Sequence, residues 1–141
     1  MHDNFDQLWL SPHFTLGEMY RSGTAIRCNI NNKPTVEEMV RFQKLLFNCL
    51  EPLRQKMGRT LISSGFRCRA LNSEVGGSPD SQHMLGEAAD IYCSSKDYRN
   101  RVFDFLRDNT DFDQLILEPT WVHVSYTERR ENRHQVIKCR D

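Results

Sequence analysis

Among 141 residues, five histidines are the first side chains to sort for chemistry: His2, His13, His83, His123 and His134. His83 follows the loop-forming run 76–80 and stands seven residues before Asp90, with Gly86 and the small pair Ala88 and Ala89 between them. Small residues let one backbone approach another closely. Asp90 falls inside an apolar stretch, residues 88–92, where a carboxylate is costly unless it is paired or bound to a metal. His123 sits in a stretch whose alternation puts Trp121, His123 and Ser125 on one face and Val122, Val124 and Tyr126 on the other. Two histidines and a carboxylate suit zinc, which in catalytic sites keeps three protein ligands and leaves a fourth position for water. The other histidines are weaker candidates. His2 is at a terminus prone to fray, His134 lies among Arg129, Arg130, Arg133 and Lys138, and His13 follows Pro12 just before a helix start. Each member of the trio also has a plainer reading, as a salt-bridged or capping aspartate or a core histidine bonded to a carbonyl. No H-E-x-x-H helix is present to decide between them.

Hydrolysis at zinc also needs a base for the water and a group to hold the substrate. Glu118, five residues before His123 at the mouth of an expected hairpin, is the candidate base. Arg67, following residues 63–66, can clamp a carboxylate or a carbonyl oxygen with its planar guanidinium. By residue type alone, a solvated turn glutamate and a surface arginine describe these two at least as well.

The elements that would position these groups can be read coarsely. Thr15 with Glu18, and Thr35 with Glu38, each make a capping box at a helix start. Behind the second, Val36, Met39, Val40, Leu46, Leu50 and Leu53 recur at helical spacing. Pro52 is expected to kink or divide that helix and Gly58 to end it. Residues 29–34 read as a loop, 60–64 as a strand, 69–75 as one or two helical turns, and 87–92 as a strand. Residues 96–107 read as an amphipathic helix. Strands follow at 114–117 and 121–126, joined across Glu118-Pro119-Thr120, with a further one at 136–139. Helices first and strands late predict a single α+β domain, residues 1–141, with an antiparallel sheet and flanking helices. Its core is expected over about 14–126, leaving a charged tail, 128–141, as a solvated edge.

Lysine and arginine balance aspartate and glutamate, 19 against 19. That argues against the basic face needed to grip nucleic acid. No stretch approaches the apolar length of a membrane span, and the polar, acidic first ten residues lack the pattern of a secretory signal. The expectation is a monomer, made and kept in a cytoplasm, released by lysis or already trimmed. Five cysteines with no C-x-x-C pair give neither a zinc knot nor a disulfide framework, so most are expected to be small buried residues.

Ser64-Gly-Phe-Arg67, Leu71-Asn72, Val75-Gly-Gly77 and Ser81-Gln-His-Met-Leu-Gly-Glu-Ala-Ala-Asp90 resemble the core of zinc D-Ala-D-Ala carboxypeptidases and related cell-wall endopeptidases. Trp121-Val-His123 resembles the segment with their third ligand. Phe14-Thr-Leu-Gly-Glu18, residues 31–34 and Leu50-Glu-Pro-Leu-Arg54 resemble the front half of a compact subgroup found in phage and bacterial genomes. The resemblance runs from about Phe14 to Tyr126 and implies the fold shared with the hedgehog signalling domain. It further implies one zinc ion on His83, Asp90 and His123, and a peptidoglycan peptide as substrate. Arg67 matches an arginine that binds and polarises substrate, and Ser81 a serine lining the site; Trp121 is expected to border the substrate as well. Many members carry their catalytic acid three positions before the last histidine, where this chain has Thr120. Glu118 is the nearest candidate, and a non-catalytic zinc-containing binding domain on the same fold is the alternative this departure favours.

Overall fold

Both capping boxes form. In the computed structural model, which describes residues 4–139, Thr15 caps α1 (Leu16–Tyr20) and Thr35 caps α3 (Val36–Leu45), each with the reciprocal glutamate in place. His2 and the last two tail residues lie outside the described residues. A short α2 (Gly23–Arg27), capped by Ser22, stands between α1 and α3 and has no clear periodic signal in the sequence. The helix begun at α3 widens into a π turn, Leu46–Leu50, before continuing as α4 (Glu51–Met57). Pro52 has no amide to offer the carbonyl one turn back. The chain answers with the wider register, in which the Glu51 amide reaches Leu46 O. Gly58, at a positive φ of 86°, ends the run as expected.

The buried stripe of this long helix is Phe42, Leu45, Leu46, Cys49, Leu50 and Leu53. Val36 and Val40, expected on that face, are instead exposed.

Two short strands near the N-terminus, β1 (Trp9–Ser11) and β2 (Phe14–Thr15), pair with each other. The main sheet has five strands in the order β3-β4-β6-β5-β7. These are β3 (Ile62–Ser64), β4 (Ala88–Tyr92), β6 (Trp121–Ser125), β5 (Gln114–Leu117) and β7 (Gln135–Lys138). The first four pair antiparallel, and β7 adds to β5 in parallel. Ala89, Ile91, Leu115, Val122 and Val124 belong to the core together with the long helix and with Val102, Phe103 and Leu106 of α6 (Lys96–Asn109). A further helix, α5 (Arg69–Glu74), follows β3. The fold is a single α+β domain with its sheet flanked by helices, as composition and element order predict. Among the described residues no helix is long and apolar enough to cross a membrane.

The tail does more than border the domain. Arg129 forks onto Glu87, while Arg130 and Arg133 both hold Asp113, whose side chain is fully buried. All five cysteines are free. Only Cys49 and Cys93 are buried, so the expectation that most would be is corrected. Burial pushes the Cys49 thiol up to about 12, where it is inert at neutral pH.

Candidate metal centre

β4 and β6 put Asp90 directly across from His123. Strand alternation then sends both side chains to the face opposite the core residues Ala89, Ile91, Val122 and Val124. His83 arrives from a 3-10 turn, Gln82–Leu85, that follows α5 in the chain. The His123 Nδ1 lies 2.9 Å from Asp90 Oδ1, and the His83 Nε2 lies 3.4 Å from the same oxygen. The two imidazoles meet edge to face with centroids 5.1 Å apart. One ligand atom from each of the three residues lies within 4.8 Å of the others.

The surroundings fit a metal better than a plain ion pair. His83 is buried, and its Nδ1 is 2.6 Å from Gly65 O. That bond places the proton on Nδ1 and leaves Nε2 as a lone pair facing Asp90, the arrangement by which metal-binding histidines are oriented. Burial pushes the Asp90 carboxyl up, but the polar contacts with His123 and His83 outweigh it and hold the group well below the usual carboxylate range. Asp90 is therefore a carboxylate at neutral pH. Two imidazole nitrogens and one carboxylate oxygen make a donor set of the zinc hydrolase type.

Local structure explains why His83 is held so closely. Ser81 caps the 3-10 turn by accepting from the His83 amide at 3.1 Å. Gly86 leaves the turn at φ 78°, and a Cβ there would stand 2.5 Å from Glu38 O of α3. A Cβ on Gly65 would meet Met19 O at 2.2 Å, so only glycine lets the carbonyl that binds His83 pass beside α1.

Arg67 sits just past β3, half-buried, with its amide bonded to His83 O. Its Nε is buried and has no partner among the described residues. Burial lowers its pKa, and the negative charge of Asp90 works in the opposite direction. Glu118 follows β5, in whose register Ile116 faces His123. Two residues further on, it shares the metal face of the sheet but stands towards its end. Cys139 Sγ donates to Glu118 Oε1 at 3.3 Å. Trp121 starts β6 on the same face, opposite Tyr92, and is partly buried. Thr120 is exposed in the turn.

Three supports were invisible to residue spacing. Asn32, in the segment read only as a loop, is buried; its Nδ2 donates to Tyr20 O and Phe66 O, and its Oδ1 accepts the Cys68 amide, so it braces both sides of Arg67. Arg99 is buried on α6 and its Nη1 donates to Glu118 O at 3.1 Å and Pro119 O at 2.6 Å, fixing the turn that carries Glu118. Glu87 accepts from Gln82, Thr127 and Arg129, tying the His83 turn to the tail. Buried polar residues in polar segments leave no periodic trace, and only the contacts reveal them.

Residues 12–125 match the family model described as Peptidase M15. No curated protein matches the chain.

Proposed function

The chain belongs to the peptidase M15 family, and on that premise we propose that it is a zinc-dependent peptidase that cuts peptidoglycan stem peptides, as a D-Ala-D-Ala carboxypeptidase or an endopeptidase. The observation that carries the reading is the convergence of His83, Asp90 and His123. A zinc ion, when bound, supplies Lewis acidity and lowers the pKa of water towards about 7. The chain's own groups supply the rest. His83 Nε2, an Asp90 oxygen and a His123 ring nitrogen hold the ion. Glu118 takes the proton of the attacking water and returns it to the leaving amine. Arg67 holds the substrate carboxylate or the carbonyl oxygen as it gains charge, a contribution of about 3 kcal/mol where such donors have been removed in other enzymes. Its Nε has no competing partner among the described residues, which supports that role. Ser81 and Trp121 border the substrate.

The test is a mass spectrum of defined muropeptides after incubation with zinc-loaded and zinc-stripped protein. Loss of one terminal D-alanine only with zinc identifies a carboxypeptidase, and an internal zinc-dependent cut identifies an endopeptidase. No cut by protein carrying one zinc per chain rejects the peptidase reading in favour of the binding domain that Thr120 favours.

A further inference from the structure

A large depression lies outside the metal trio. A groove of about 1130 Å³ runs beside β3 and is bordered by Trp9, Arg21, Arg54, Arg59 and residues 60–63. A smaller one, of about 310 Å³, is bordered by Arg21, Ser63, Gly65 and Arg67. Arg21 and Ser63 belong to both, so the two are contiguous. The smaller ends at Gly65, whose carbonyl binds His83, and at Arg67. The path therefore runs from Arg67, the candidate substrate-holding arginine, along β3. That strand is the edge of the main sheet, paired with β4 on one side only.

The charges along this path are unevenly engaged. The two carboxylates on its wall serve the fold: Asp6 accepts from the Tyr20 hydroxyl, and Glu18 closes the capping box of α1. Arg21, Arg54 and Arg59 make no side-chain hydrogen bond or ion pair with the described residues. Trp9, 65% exposed, adds a bare aromatic face beside them. Unpaired guanidiniums recognise carboxylates bidentately, and an open strand edge accepts an extended peptide backbone. A polyphosphate or nucleic acid is a poorer match. It offers no backbone amides and carbonyls to pair with the open edge of β3, and the chain as a whole carries no net positive charge.

We propose that this groove binds the part of the substrate remote from the cut bond, and that it selects an extended acidic peptide, with its carboxylates on Arg21, Arg54 and Arg59 and its backbone beside β3. The direction of the peptide rests on the peptidase reading; the charge preference rests on the groove alone.

Binding is measured by calorimetry on zinc-free and zinc-loaded protein. The probes are a synthetic stem pentapeptide with free side-chain carboxylates and the same peptide with those groups amidated. The acidic peptide is expected to bind at least tenfold more tightly than the amidated one. R54A/R59A, and separately Arg21→Gln, should shrink that preference with little change in Tm, and under turnover the loss should fall on KM rather than kcat. Equal affinity for the two peptides, or an undiminished preference in both variants, overturns the proposal. So does an oligonucleotide that outcompetes the acidic peptide and loses its grip in the same variants. Charge-selective binding without cleavage supports the groove and rejects the peptidase reading, so the two can fail separately.

Discussion

Arg67 keeps a buried Nε with no partner among the described residues while burial already disfavours its charge, so at rest this side chain costs the fold something. A group so placed is explained by what it meets when substrate arrives. Arg67→Lys keeps a cation but loses the planar fork. Because the Nε makes no internal bond, the variant should keep its Tm within about a degree while kcat/KM falls about tenfold to a hundredfold, measured by thermal melts and by release of D-alanine or of the cut fragment. Glu118→Gln makes the complementary case: one zinc per chain retained by elemental analysis, with kcat down by about 10²- to 10⁴-fold. Turnover near the wild-type rate would remove Glu118 from the role of base. Asp90 and His123 stood out as candidates because a carboxylate and a histidine in apolar strands invite a partner and strand alternation assigns their face, whereas His83, in a 3-10 turn, was picked out by the resemblance of residues 81–90. Glu118 was legible only as a position near the hairpin, since nothing in its spacing says that Arg99 fixes the turn or that Cys139 bonds its carboxylate. Asn32 was missed for the same reason: its three bonds join segments far apart in the chain.

At the scale of elements, local signals and non-local geometry part company. Thr15 and Thr35 announce their helices because a capping box lies within four consecutive residues. The π turn before Pro52, the 3-10 turn carrying His83 and the parallel seating of β7 depend on what lies opposite them, and a periodicity argument has no access to that. The 3-10 turn matters most, since it brings His83 from the strand margin to Asp90. It is held at one end by Ser81 and at the other by Gly86, while Arg41 Nε donates to Leu85 O at 2.6 Å. Gly86→Ala forces a side chain into a positive-φ position with its Cβ 2.5 Å from Glu38 O. The expected cost is about 2 kcal/mol of stability. Because the displaced turn carries a ligand, zinc affinity should fall about tenfold as well. Competition with a chelator of known affinity reads the second effect. Lost stability with unchanged zinc affinity would show that the turn does not set the position of His83.

The whole molecule is closed by its charged tail. Glu87 and Asp113 are buried carboxylates far apart in sequence, and arginines from residues 129–133 cover both. The tail thus links the strand that carries Asp90 to the start of β5, and β7 completes the sheet beyond it. Burial pushes the Asp113 carboxyl up, yet the bonds from Arg130 and Arg133 outweigh it and hold it well below the usual range. Glu87 is likewise lowered, with Arg129, Thr127 and Gln82 outweighing burial. A carboxylate with a depressed folded pKa contributes stability that is fully present above its unfolded value, about 4 for these residue types. That contribution is lost as pH falls through the folded value. Stability should therefore be level from pH 7 to about 5 and decline below about 4. Asp113→Asn separates this pair from the other carboxylates. It removes the charge that two arginines share, and those arginines, 41% and 46% exposed, can recover part of their hydration. The loss at pH 7 is then about 2 kcal/mol, less than the full cost of breaking a buried pair. The variant should be destabilised at neutral pH and show a shallower acid decline, read from urea midpoints at pH 7, 5, 4 and 3. An acid slope equal to that of the wild type would mean that the Asp113 clasp does not set acid stability, leaving Asp90, Glu87 and Glu51 as its source.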